Sequence, residues 1–144
     1  MKRMTPAEAV MLCRFAKACC PQQAFDEYTP DAWFELLGDL RFDECKAAVV
    51  EVTKRQPFCA PAEIRAQVRR VRYDRVERFG YIEPPAHLGD NPPAEIAYAN
   101  EIRQRVADGE LTREQWDAER AAEGITGARE VPALEGVFRR VPPK

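Results

Sequence analysis

Residues 56–79, QPFCAPAEIRAQVRRVRYDRVERF, hold a helix whose apolar stripe ends before the helix does. Pro61 predicts where the helix begins, because a proline at the first helical position loses no hydrogen bond and already has a helical φ. At 100° per residue, one narrow face carries three aliphatic side chains and then two cations: Ile64, Val68, Val71, Arg75 and Arg78. An unpaired guanidinium is not left inside an apolar core. We therefore expect the first three turns to be buried and the last two to extend beyond the core.

Three further helices are predicted upstream, each from a recognisable start. The first begins at the capping box Thr5–Glu8, and the second at Thr29-Pro30. The third begins near Asp43, whose carboxylate can cap it. With the long fourth helix they form a compact four-helix N-terminal domain over residues 1–79. The predicted fold class is all-α.

The composition changes after residue 79. Four prolines and two glycines fall between residues 80 and 93, which is typical of a semi-stiff linker, and we assign it to residues 80–91. Asn91-Pro92 starts a fifth helix, and a second capping box, Thr112–Gln115, starts a sixth. Residues 92–123 are therefore predicted to form a helix-turn-helix-like hairpin, with residues 124–144 as a flexible tail.

The predicted hairpin offers few apolar groups from which to build a core. Burying one large apolar side chain contributes about 1.5–3 kcal/mol, whereas ordering each residue costs about 1–2 kcal/mol. An isolated pair of helices would thus be near zero net stability, and we expect it to bind a partner. The candidate partner-binding residues are Ile96, Tyr98, Ile102, Leu111 and Trp116.

The arginines of the fourth helix are the second candidate site. They give residues 64–79 a positive excess, although residues 1–79 as a whole carry only +2 and residues 80–144 carry −4. One interpretation is contact with nucleic-acid phosphates. The other, which we favour, is pairing with nearby carboxylates and with the helix dipole. The candidate nucleic-acid-binding residues are Arg69, Arg70, Arg72, Arg75 and Arg78.

Sequence signals for catalysis are missing. The chain has no serine, and its glycines form neither a G-x-x-x-x-G-K-[ST] nor a G-x-G-x-x-G pattern. Five cysteines without a C-x-x-C pair and one histidine, His87, predict reduced thiols and no metal site. We expect no catalytic residues, no cofactor and no enzymatic activity. The absence of a long apolar run predicts no membrane association and a cytoplasmic protein.

Part of the chain resembles a known family. The order and spacing of Trp33-x-x-x-Leu37-x-Asp39, then Ala48-Val49, then Phe58-x-x-Pro61-Ala62-Glu63-Ile64 are similar to those of the phage replicative-helicase loader and inhibitor proteins. The resemblance covers residues 5–70. This chain departs from the pattern at Ala60, where a Ser or Thr cap is commoner, and in its longer, more basic fourth helix.

The resemblance implies a small adaptor that needs no ATP. In that family a flexible C-terminal region engages a DnaB-type hexameric helicase, holds it inactive and helps deliver it to an origin-bound initiator. We therefore expect a phage DNA-replication adaptor that acts in the cytoplasm of a bacterial host, with the helicase as partner and the initiator as a possible second partner. Two alternatives stay open: a small DNA-binding regulator that uses the fourth helix with weak affinity, and an inhibitor of another host replication or transcription factor.

Overall fold

The computed structural model describes the backbone of residues 3–128 and the side chains of residues 3–123. Over this range it contains helices and no β-strand, so the all-α prediction is confirmed. The α-helices are α1 Pro6–Cys19, α2 Thr29–Leu37, α3 Phe42–Thr53, α4 Pro61–Phe79, α5 Pro92–Ala107 and α6 Arg113–Ala128, with a short 3₁₀ turn at Ala86–Leu88. Within these residues, each helix is too short or too polar to cross a lipid bilayer.

Both predicted capping boxes are present. Thr5 Oγ1 accepts a hydrogen bond from the Glu8 amide at 3.1 Å, and Glu8 Oε1 accepts one from the Thr5 amide at 2.9 Å. Thr112 and Gln115 make the same exchange at the start of α6. Each box satisfies two amides that the first helical turn leaves without a partner. These local signals fix where α1 and α6 begin.

The predicted N-cap of α3, Asp43, is wrong by two residues. The helix begins at Phe42, and its N-cap, Arg41, makes no side-chain cap. Asp43 lies inside the first turn, where its Oδ1 accepts a hydrogen bond from the Glu44 amide at 2.9 Å. A carboxylate at this place is favourable because the helix dipole is positive there. Asp43 thus stabilises the helix start without capping it.

The chain divides into two compact units between Arg78 and Phe79. In the first unit, up to Arg78, the apolar faces of α1, α2, α3 and α4 meet in one core. Its fully enclosed side chains include Leu12, Leu37, Cys45, Val49, Val52, Cys59 and Ile64. At Gly38 the backbone lies so close to α2 that a Cβ atom would approach the Phe34 carbonyl oxygen to 2.5 Å. Only glycine allows this tight exit from α2.

The second unit begins with Phe79, the last residue of α4. Gly80 follows with φ of 86°, a left-handed conformation that ends the helix. Between residues 79 and 123, six apolar side chains of the second unit are buried: Phe79, Ile82, Ile102, Val106, Leu111 and Trp116. They lie outside the core cluster of the first unit.

Two predicted segments therefore differ from the structure. Residues 80–91, expected to be a linker, lie in the second unit, and Ile82 is buried there. The proline content predicted the irregular backbone correctly but not the burial of this one isoleucine. The tail predicted from residue 124 begins inside α6, which continues to Ala128, and residues 129–144 lie outside the described residues.

Candidate partner-binding surfaces

Arg65 joins α4 to the end of α2. Its guanidinium makes two hydrogen bonds to the Asp39 carboxylate, one of them at 3.2 Å, and a third to the Leu36 carbonyl oxygen. That oxygen belongs to the last turn of α2, where helix carbonyls lack internal partners. The hydrogen bonds from Arg65 lower the pKa of Asp39, and those to Asp39 raise the pKa of Arg65. This arginine has a structural role.

Arg72 and Arg75 both bind Glu44 of α3. Arg72 Nη1 lies 3.2 Å from each carboxylate oxygen of Glu44, and Arg75 Nη1 lies 3.1 Å from Oε2. The Glu44 side chain is only 8% exposed. Two of the five arginines predicted to bind nucleic acid are thus engaged in an ion-pair cluster between α3 and α4. We correct their predicted role, because a guanidinium held by a buried carboxylate is not free to contact phosphate.

Arg69, Arg70 and Arg78 are exposed, and none has an ion-pair partner among the described residues. The same stretch of α4 carries exposed Asp74 and Glu77, which offset part of their charge. The charge of Glu77 also raises the pKa of Tyr73. The cationic surface of α4 is therefore three arginines and two acids, a smaller excess than the sequence implies.

The predicted partner-binding residues of the second unit are mostly interior. Ile102, Leu111 and Trp116 are between 3% and 4% exposed. Tyr98 is half-buried, and its hydroxyl oxygen accepts a hydrogen bond from Trp116 Nε1 at 3.1 Å. We correct the predicted contact role of the three buried residues, since their side chains are enclosed by the unit itself. Ile96 alone of the five is well exposed, at 62%.

Trp116 of the second unit is buried beside one aromatic ring and two guanidinium groups. Its ring centroid is 5.5 Å from that of Phe79, and the guanidinium carbons of Arg113 and Arg120 lie 4.6 and 5.0 Å from it. Arg113 also donates to the carbonyl oxygens of Phe79 and Tyr81 at 3.2 and 2.7 Å. These contacts tie the segment after α4 to α6. The contacts with Phe79 and Tyr81 explain why α5 and α6, which carry few apolar side chains, nevertheless have buried residues.

A groove between α3 and α4 is a feature that the sequence analysis missed. Two alanines of α3 and three residues of α4 line it, with a cavity volume of about 60 Å³: Ala47, Ala48, Gln67, Val68 and Val71. We call it the α3–α4 groove. Glu44, Glu51 and Arg75 complete its lining. The sequence places two adjacent alanines on α3, but only the structure shows that they line a cavity together with residues of α4.

The cysteines are structural in this arrangement. Cys20 and Cys59 are fully buried, with their Sγ atoms 3.9 Å apart. Burial raises the pKa of Cys59 and of Cys45 to about 12 and that of Cys13 to about 11. A thiol with a raised pKa forms little thiolate and is a poor nucleophile near neutral pH. Among residues 3–128, no three His, Cys, Asp or Glu side chains lie where they could hold a metal ion.

Comparisons with protein-family models, curated proteins and solved structures found no match for this chain.

Proposed function

We propose that the protein is a phage DNA-replication adaptor that binds a DnaB-type replicative helicase as an ATP-independent loader or inhibitor. Its role is to hold and position another protein, with no chemical step of its own. The observation that carries the proposal is the place in the fold of the residues that resemble the loader and inhibitor family. They form the interior and the turns of the first unit.

Five of those residues are core side chains, and Ala48 and Val49 of α3 are two of them. Trp33 is 5% exposed, and Leu37 and Ile64 are fully buried. Asp39, which follows the end of α2, accepts the hydrogen bonds from Arg65. The shared spacing therefore corresponds to residues that determine how α2 and α4 pack, as expected for a pattern that specifies a fold.

The departure at Ala60 is compensated locally. Glu63 Oε1 accepts a hydrogen bond from the Ala60 amide at 2.9 Å, and its Oε2 accepts one from Gln56 Nε2. The hydrogen bond from the Ala60 amide lowers the pKa of Glu63. Half of a capping box thus remains without a Ser or Thr at the cap, so the difference from the family pattern leaves the start of α4 intact.

Exposed apolar side chains support a binding role. Phe58, in the loop before α4, is 51% exposed, and Tyr81 and Ile96 of the second unit are 75% and 62% exposed. Single exposed apolar residues are common on protein surfaces. Aromatic residues are nevertheless enriched in protein interfaces, so we begin a scan of the helicase contact with Phe58 and Tyr81 and add Ile96 for its exposure.

The test is co-purification of the full chain with a purified DnaB-type hexamer, together with the rate of ATP hydrolysis by the helicase. We expect a stable complex and a slower rate. Ile96→Glu should weaken binding, while Ala118→Glu, which adds the same charge at another exposed position of the second unit, serves as a surface control. Failure of the wild-type chain to form any complex would refute the proposal.

DNA binding is the second candidate, favoured by the three exposed arginines of α4. Each phosphate contact contributes about 0.9 to the salt slope of log K, so Arg69, Arg70 and Arg78 together predict a slope of about −3. Anisotropy of a labelled duplex measured across a salt series would detect it. An affinity that does not change with salt, or that survives charge reversal at all three positions, would exclude this function.

A further inference from the structure

The α3–α4 groove contains a buried polar side chain that has no hydrogen-bond partner among residues 3–123. Gln67 is 9% exposed, and its amide makes no hydrogen bond to any residue that the structure describes. Buried amides are nearly always hydrogen-bonded, because leaving one unpaired costs free energy. Gln67 lines the groove, and one amide offers both a donor and an acceptor. A peptide group has the same pair and is a matching ligand.

The size of the groove limits what can enter it. A water-sized group occupies roughly 10–15 Å³ of such volume, so about 60 Å³ holds four to six heavy atoms. Its walls at Ala47, Ala48, Val68 and Val71 are apolar. A leucine-sized aliphatic side chain has the right volume and polarity. A charged or aromatic side chain would be too polar or too large.

The charge along α4 selects the sign of the ligand. Arg75 lines the groove and is bound to Glu44. Arg78 lies on the same helical face less than one turn further on, is exposed, and has no ion-pair partner in the described part of the chain. A carboxylate on the incoming segment would therefore find an unpaired guanidinium there.

We propose that the α3–α4 groove binds an extended, acidic segment of the helicase partner. The segment inserts one leucine-sized side chain between Ala47 and Val71, pairs a neighbouring peptide group with the Gln67 amide, and places a carboxylate at Arg78. It must be extended at this point, because the peptide groups of a helix are already bonded to one another. This site depends on the proposed function, since the segment belongs to the same partner.

Filling the groove is the first test, carried out with the full chain and a purified DnaB-type hexamer. Ala47 is exposed at the groove, so Ala47→Leu should fold normally and occupy the space meant for the ligand. We expect its Kd to rise about 10- to 100-fold, as loss of one buried aliphatic side chain implies. Ala66→Leu, on an exposed position of α4 outside the groove, is the matched control and should bind as the wild type does.

Two further variants separate the polar contacts. Gln67→Leu keeps a similar side-chain volume and removes an amide that has no internal partner, so thermal stability should hold or rise while the Kd increases about 5- to 50-fold. Arg78→Glu should weaken binding and Arg70→Glu should not, although both reverse one exposed charge of α4. A merely structural role for Gln67 would instead lower stability and leave binding unchanged.

The outcomes distinguish the two proposals. If the wild-type chain forms no complex, the proposed function fails and this site fails with it. If the wild type binds but Ala47→Leu and Gln67→Leu bind equally well, the helicase contact lies elsewhere and only the groove proposal is overturned. Weakening by Ala66→Leu to the same extent as by Ala47→Leu would overturn it too.

Discussion

Removing the buried Glu44 carboxylate should destabilise the first unit more than removing an exposed carboxylate of the same helix. In Glu44→Ala, Arg72 and Arg75 lose the anion that both of them contact. Removing one member of a fully buried ion pair costs about 3–5 kcal/mol, and removing an exposed one about 0.2–1 kcal/mol. Because the side chains of Arg72 and Arg75 are 17% and 32% exposed, their charges partly reach water. We expect a loss of about 2–3 kcal/mol, between these limits.

The two tryptophans provide a direct assay. Trp33 belongs to the first unit and Trp116 to the second, and both are buried. In a Trp116→Phe background, fluorescence during urea unfolding reports on the first unit alone. A loss of about 2–3 kcal/mol should also lower the Tm of this unit by roughly 10 °C or more. Far-UV circular dichroism at neutral pH verifies that the variant is helical before unfolding.

Glu51→Ala is the matched control. It makes the same substitution seven residues along the same helix, where Glu51 pairs with Lys54 and both side chains are about half exposed. Its cost should stay below about 1 kcal/mol. A double-mutant cycle of Glu44→Ala and Arg72→Met then measures the coupling free energy between these two side chains. The favourable interaction of Glu44 with the helix dipole cancels in this cycle. Equal losses for Glu44→Ala and Glu51→Ala, or a coupling near zero, would refute the reasoning.

Three further predictions concern the second unit, the Asp39 carboxylate and the thiols. Trp116→Ala should cost about 3–5 kcal/mol and unfold the second unit, while Trp33 fluorescence keeps its native unfolding midpoint; a parallel fall in that midpoint would contradict the division into units. Because the pKa of Asp39 is lowered in the folded chain, its ionised carboxylate stabilises the fold above about pH 3.8, the ordinary pKa of the group. This stabilisation is lost as the pH falls through the pKa in the folded chain. Asp39→Asn should therefore reduce the free energy of unfolding by less than about 1 kcal/mol near neutral pH, since the side chain is 53% exposed, and the difference should vanish in acid. Thiol reagents at mildly alkaline pH should modify half-buried Cys19 first, and rapid modification of Cys45 or Cys59 in the native protein, detected by mass spectrometry, would disagree with their burial and raised pKa.

Local signals in the sequence predicted the helices well. The prolines at positions 6, 61 and 92 each stand at the first residue of a helix, and both capping boxes form. Ile64 and Val68 are buried as their spacing requires. These features depend on residues within one or two turns of each other, so periodicity and capping chemistry were sufficient.

The candidate sites depended on partners far away in the sequence. Glu44 and Arg72 are 28 residues apart, and no spacing rule identifies one as the partner of the other. The α3–α4 groove likewise is lined by residues of two helices that are about 20 residues apart in the sequence, such as Ala47 and Gln67. The predicted buried face of α4 is confirmed at Ile64 and Val68, whereas Val71 is only half-buried. Whether the arginines of α4 are free or paired depends on residues of α3.

The second unit was misjudged for a related reason. The prediction considers the apolar groups of α5 and α6 alone. It omits two buried residues of the same unit, Phe79 at the end of α4 and Ile82 in the proline-rich segment. With these two included, Trp116 and Ile102 have apolar neighbours in the same unit, and their burial no longer requires a partner. Two side chains outside the predicted helical pair thus supply apolar surface that the pair itself lacks.

The position of Phe79 determines how the protein can be cut into fragments. A clone that starts at residue 80, the boundary expected from composition, would lack the ring beside Trp116 and one of the carbonyl oxygens that Arg113 binds. A clone that stops at residue 79 would carry that ring without the residues that cover it. The boundary between two expressed fragments should therefore lie within α4, before Phe79. If a fragment that starts at residue 80 is unfolded, the cause is the missing phenylalanine, and the result says nothing about whether the complete second unit folds.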